Sequence, residues 1–165
     1  MEKMYQDYKD IVDFQLVYIK EAHAADSNWS VDYAKDLGIT EHDNHLERCT
    51  AADMLFKDKA LSIPFLVDDM KDAVNGAYKA FPDRIFLVRK DGRLAVAATR
   101  GPWGFSPALT QVATWLAEYR KNGKEPDLPK DAKEAGEDVR VVTKLEKRAD
   151  STDKAATKSA DGEDG

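Results

Sequence analysis

Three side chains in this sequence have the chemistry to grip a polar ligand and move a proton: His23, Asp83 and Arg100. Histidine exchanges protons near neutral pH. Arginine supplies a permanent planar cation for a carboxylate or phenolate. Aspartate can orient an imidazole or relay a proton. The three are far apart in the chain, so their use depends on elements that gather them.

His23 closes the stretch "FQLVYIKEAH", in which residues 14–19 form a continuous apolar run. Such a run predicts a strand buried on both faces. In open α/β sheets, ligands sit beyond the carboxyl ends of parallel strands, and His23 falls just past one. The stretch "RIFLVRKDGRLAVAA" predicts a hairpin with its turn at Asp91-Gly92. That hairpin begins after Pro82-Asp83 and ends at Thr99-Arg100. Its ends share one edge, so Asp83 and Arg100 are expected to be neighbours. Should the hairpin run antiparallel to the strand at 14–19, His23 shares that edge too.

The remaining elements follow from caps and periodicity. Residues 2–10 are helix-compatible, and 23–38 read as a long polar and aromatic loop. Thr40 and Asp43 form a capping box that would start a helix, with Leu46, Cys49 and Phe56 on its apolar face. Residues 65–67 predict a short strand and 72–81 a helix stopped by Pro82. Ser106 as N-cap and Pro107 as first helical residue begin the last helix. Its stripe is Leu109, Val112, Leu116 and Tyr119, and Gly123 ends it. The order is helix, strand, helix, strand, helix, hairpin, helix. This predicts an α/β fold with a central mixed sheet flanked by helices. The folded domain is placed at residues 1–125, with 126–165 as linker and disordered polar tail. From Ala149 onward alanine is the only apolar residue, too little to order a segment. "DVRVVTKL" is the one strand-like run in that region.

Composition narrows the function. Net charge is -6 with no basic cluster, which argues against nucleic acid as a partner. No apolar run reaches membrane-span length, and "MEKMYQDYKD" reads as neither signal peptide nor anchor. As given, the chain reads as cytoplasmic. A single cysteine excludes an internal disulfide and a Cys-x-x-Cys pair.

Each chemical reading has a plainer counterpart. His23 is then a loop histidine, Asp83-Arg84 a solvated pair, and "RGPWGF" a turn with Trp103 packed down as a lid. His42, His45 and Cys49 share one predicted helix in an H-x-x-H-x-x-x-C pattern. Without a second ligand cluster of zinc spacing, no metal site is expected. His42 is placed at a helix N-terminus, where the dipole keeps an imidazole neutral. Cys49 is placed in the core as a small apolar residue.

Four stretches together, "DFQLVYIKEAHAADSNW", "LERCTAADML", "VDDMKDAVNGAYKAFPDRIFLVRKDGR" and "RGPWGFSP", resemble the iodothyronine deiodinase family of the thioredoxin superfamily. The resemblance runs from about residue 5 to 119 and implies a thioredoxin-like fold. It implies catalytic roles for Tyr18, His42 and Asp83, and substrate-binding roles for His23 and Arg100. Asp83 stands where the family has glutamate. "HDNHLER" departs from the family spacing, which makes His45 a rival to His42. The family's nucleophile, a selenocysteine or cysteine that attacks an aryl iodine, maps upstream of Met1, and Cys49 does not match it. The resemblance therefore implies an N-terminally truncated chain whose missing strand leaves a sheet edge exposed.

Reductive deiodination by a selenol or thiol is the implied activity. The implied substrate is a small aromatic, iodinated in the family's case, with an external thiol as electron donor and no bound cofactor. A peroxiredoxin-like thiol reductase and a non-catalytic thioredoxin-fold binding module are the alternatives. An upstream in-frame codon for selenocysteine or cysteine separates the enzymes from the module.

Overall fold

The computed structural model describes residues 1–128. Five helices and four strands lie among them: α1 (Glu2–Tyr8), β1 (Leu16–Tyr18), α2 (Asp32–Leu37), α3 (His45–Asp58), β2 (Phe65–Val67), α4 (Ala73–Tyr78), β3 (Phe86–Val88), β4 (Leu94–Ala97) and α5 (Phe105–Asn122). The architecture is mixed α/β, as expected. The expected tail lies almost wholly outside the described residues, as does "DVRVVTKL".

Strand β1 pairs in parallel with β2, Leu16 opposite Phe65 and Tyr18 opposite Val67. Strand β3 pairs antiparallel with β4, Leu87 opposite Val96, with an irregularity between Leu87 and Val88. The single central sheet of the sequence reading is replaced, among the described residues, by two sheets of two strands. The ladder shows which edge of β1 is left open. The Leu16 N–H donates to the Pro64 carbonyl, and Asp68 N–H to the Tyr18 carbonyl. Alternate residues of a parallel strand face the same neighbour. Val17 therefore presents its backbone groups to the other edge of β1, where no described strand pairs with it. Strand β1 is half-buried throughout rather than covered on both faces.

The hairpin forms as its turn chemistry predicts. Gly92 takes φ +79, a left-handed conformation that glycine adopts without a Cβ penalty. Its inner face carries Ile85, Leu87, Val96 and Ala98, which pack on Ala108, Val112 and Leu116 of α5. Leu116 is 1% exposed; burying such a side chain contributes roughly 1.5–3 kcal/mol. Leu109 joins this core only partly, and Met4 and Tyr8 of α1 pack against it. Helix α5 starts at Phe105 after Gly104, earlier than the Ser106 cap, and ends at Gly123 with φ +67.

Helix α1 ties the two sheets. Ser62, just before β2, donates its N–H to Glu2 at 3.0 Å, while Arg120 of α5 donates to the Asp7 carbonyl at 2.7 Å.

The region between β1 and β2 departs most from expectation. Residues 32–37 fold as helix α2 inside the presumed loop, closed by Gly38 at φ +67. Helix α3 starts at His45, not near Thr40. Its N-cap is Asn44, whose side-chain oxygen accepts the Glu47 N–H at 3.0 Å. Glu47 reaches back to the Asp43 N–H at 2.8 Å, so a capping box exists four residues downstream of the expected one. The buried face of α3 is Arg48, Ala51, Ala52 and Phe56, and Phe56 stacks on Phe65 at 3.9 Å. Leu46, expected on that face, is 77% exposed.

Candidate functional site

The parallel register carries the chain off β1 and β2 at the same end, and the side chains of interest collect there. Tyr18 is the last residue of β1. Its hydroxyl donates to Glu21 Oε2 at 2.9 Å. The other Glu21 oxygen accepts the N–H groups of Ala22 and His23 at 3.0 and 3.1 Å. One carboxylate thus shapes the "KEAH" turn and holds the phenol. Burial, and then the negative charge of Glu21, push the Tyr18 phenol up, so it stays protonated.

His42 lies against Tyr18, with ring centroids 5.9 Å apart. It precedes the Asn44 cap by two residues and is not in the first turn of α3. The dipole explanation for its neutrality is therefore replaced. Burial first, and the nearby Arg48 charge second, hold the imidazole below its usual value, against the pull of Glu21, Glu47 and Asp26. His42 Nε2 is buried and has no hydrogen-bond partner among the described residues. A neutral imidazole with an unsatisfied nitrogen can take a proton from, or give one to, a molecule placed beside it.

His45 points elsewhere. Its Nδ1 lies 3.5 Å from Cys49 Sγ on the outer side of α3. Cys49 is half-buried and does not belong to the core face where the sequence placed it. His42 and His45 do not converge on a shared point.

His23 follows on the same turn. Its Nδ1 is 2.9 Å from the Trp29 carbonyl. A carbonyl can only accept, so Nδ1 carries the hydrogen and Nε2 is left for a ligand. The Trp29 ring sits 5.7 Å from the imidazole and is 70% exposed.

The hairpin edge brings Asp83 close to the Arg100-Gly101 step. The Gly101 N–H donates to the Asp83 carbonyl at 3.0 Å. A Cβ on Gly101 would fall on the Asp83 carboxyl group. Asp83 Oδ1 is buried without a partner among the described residues, and burial pushes the carboxyl up. Arg84 is no simple solvated neighbour: its guanidinium donates to the Ala98 and Tyr78 carbonyls at 2.8 and 2.9 Å. Arg100 is exposed. Trp103 is 87% exposed, which corrects its reading as a packed lid.

Lys20 links the two groups. Its Nζ is 4.9 Å from the Phe81 ring centroid and 3.9 Å from Asp72. The exit of β1 therefore lies beside the segment that leads into Asp83. No hydrogen bond, ion pair or ring contact among the described residues joins His23 to Arg100, or His42 to Asp83.

A model of the iodothyronine deiodinase family matches residues 1–120. The chain belongs to the iodothyronine deiodinase family. A thyroxine 5-deiodinase from Gallus gallus is 34% identical over 120 residues, 73% of this chain and 44% of that protein. A type I iodothyronine deiodinase from Xenopus laevis is 32% identical over 105 residues, 64% of this chain and 40% of its own length. The human type II iodothyronine deiodinase is 29% identical over 133 residues, 76% of this chain and 46% of its own. This deiodinase-family chain thus spans less than half the length of these curated relatives. No helix among its described residues is long and apolar enough to cross a membrane.

Glu21 and Arg48 are the site members that sequence reasoning missed. Glu21 had a signal, a carboxylate two residues before His23 and three after Tyr18. Arg48 had none, because an arginine on a helix reads from sequence as a surface residue.

Proposed function

We propose that this chain supplies the substrate-binding and proton-handling part of a reductive deiodinase on a thioredoxin-like scaffold. The observation that carries this reading is His42, neutral and with a bare buried nitrogen, held beside the Tyr18 phenol in a chain matched to the deiodinase family over residues 1–120.

The roles follow from the chemistry of each group. His42, Tyr18 and Asp83 handle the proton that replaces iodine on the ring. Tyr18 stays protonated and Glu21 fixes its hydroxyl. Asp83, pushed up by burial, is a carboxyl able to donate. His23 Nε2 and the Arg100 guanidinium take the polar ends of the substrate, and Trp103 and Phe105 flank it as apolar walls. The nucleophile is a selenol or thiol on a segment that these 165 residues do not include, and the unpaired edge of β1 is where we assign its strand. The nucleophile takes iodine from carbon and the carbon takes a proton. Two equivalents of an external thiol then release iodide and become a disulfide. Cys49 has no part in this, since it faces His45 on the far side of α3.

The test has two arms. The chain alone is titrated with thyroxine, followed by tryptophan fluorescence. A chain extended upstream by a strand and a cysteine or selenocysteine is assayed for iodide release with dithiothreitol. His23→Ala and Arg100→Ala should each weaken binding roughly ten- to a hundred-fold, the worth of a lost charged contact of about 1.5–3 kcal/mol. Wild-type binding in both variants sinks the proposed substrate grip. Peroxide turnover without iodide release favours the thiol-reductase alternative.

A further inference from the structure

Arg48 is 4% exposed, a costly place for a cation unless it is paired and hydrogen-bonded. Its Nη1 donates to the Asp69 carbonyl at 2.6 Å and to Asp72 Oδ1 at 3.0 Å, with a longer contact to the Asp68 carbonyl. These partners form the turn that leaves β2. The same turn is fastened to β1, because Asp68 N–H donates to the Tyr18 carbonyl at 2.8 Å. The Asp68 carboxylate also accepts the Val74 and Asn75 N–H groups at 3.0 and 2.8 Å. One buried guanidinium on α3 therefore clamps a loop that is also bonded to the backbone of Tyr18, whose ring lies 5.9 Å from that of His42.

Asp72, the one ion-pair partner of Arg48 among the described residues, is also approached by Lys20 at 3.9 Å. Arg48 Nε has no partner among the described residues. A guanidinium charge in a part-buried region disfavours a second cation, and the Arg48 charge acts on the His42 imidazole in that sense.

We propose that Arg48 is a positioning residue for the His42–Tyr18–Glu21 cluster, acting through its charge and through its hold on the turn after β2. It does not touch substrate. This deepens the proton role given to His42 and rests on that reading. The Tyr18 ring from β1 lies against His42, and the charges that act on the imidazole are Glu21 and Asp26 from the segment after β1, and Glu47 and Arg48 from α3. The three carboxylates favour protonation, and Arg48 is the one charge in the set that opposes it.

The chain has three histidines, so NMR titration of the imidazoles resolves His42 with His23 and His45 as internal references. The titration needs neither a nucleophile nor deiodination, so it stands or falls separately from the deiodinase reading. In Arg48→Met the His42 midpoint should move up while the other two stay in place. Arg48→Gln removes the same charge but keeps a donor for the Asp69 carbonyl, so it serves if the methionine variant does not fold. Arg48→Lys keeps the charge and loses the planar guanidinium whose Nη1 reaches the turn after β2; its melting temperature should fall while the His42 midpoint stays low. A folded neutral variant with an unmoved His42 midpoint overturns the proposal. A lysine variant whose midpoint rises as far as that of the neutral variants overturns it as well.

Discussion

The Asp83 carboxyl group fills the space that a side chain on Gly101 would need, while the Gly101 N–H donates to the Asp83 carbonyl. The glycine before Pro102 is thus required by a side chain eighteen positions earlier in the chain. Substitution by alanine forces either the carboxyl or the backbone to move. Gly101→Ala should cost about 1–3 kcal/mol, the usual range for overpacking, read from urea unfolding. Asp83→Ala should relieve much of that cost, so the double variant should be clearly less destabilised than the sum of the two. Simple additivity would show that the carboxyl does not occupy that space.

Asp83 also makes a pH prediction. Its folded carboxyl is held above the usual aspartate value by burial, so the folded state binds the proton more tightly than the unfolded chain. Stability is then lost as pH rises from the ordinary aspartate range through the raised value. Asp83→Asn should raise the melting temperature at pH 7 and bring no gain at acid pH, where the native carboxyl is already neutral. Equal effects at both pH values would remove burial as the cause.

His42 has the opposite sign. Its folded value is depressed, mainly by burial, so protonation favours the unfolded chain. Stability contributed by the neutral form is present above the ordinary histidine value, about 6.5, and declines as pH falls toward the depressed folded value. His42→Gln should flatten the difference in urea midpoint between pH 7.5 and pH 5. An unchanged acid slope would mean that other groups carry it.

Tyr18→Phe removes the hydroxyl that donates to Glu21 and leaves that carboxylate its two backbone donors. The loss should be about 0.5–2 kcal/mol of stability, with a larger relative loss of turnover in an active extended chain. Differential scanning calorimetry and iodide release measure the two. A stability loss with no change in turnover would confine Tyr18 to shaping the turn.

Cys49→Ser should leave both thyroxine binding and iodide release of the extended chain unchanged. A thiol assay that tracks Cys49 instead would relocate the reactive group to α3.

Several features were legible from sequence because they are local. The Asp91-Gly92 hairpin, the Gly123 helix stop and the apolar register of α5 depend on turn chemistry and a 3.6-residue period. So does the placement of Asp83 at the Arg100-Gly101 edge, since a hairpin must return its ends together. The motifs that mark the deiodinase family were equally readable. The start of α3 was not, because two overlapping cap signals stand four residues apart. Asn44 prevailed because its capping partner Glu47 can reach back to Asp43, which the Thr40–Asp43 pair does not reproduce. Which stripe of α3 turns inward was equally illegible: packing on Phe65 buries Arg48, Ala51, Ala52 and Phe56 and leaves Leu46 and Cys49 off that face.

What the sequence determined by itself is therefore the hairpin, the last helix, the mixed α/β class and the family. What only the tertiary structure decided is which polar groups lose their water. The orphaned nitrogen of His42, the carboxyl of Asp83 wedged at Gly101 and the buried guanidinium of Arg48 all depend on neighbours distant in the chain. Burial is a property of the packed whole: a side chain is desolvated by whatever element comes to rest on it, and no window of local sequence carries that element's position.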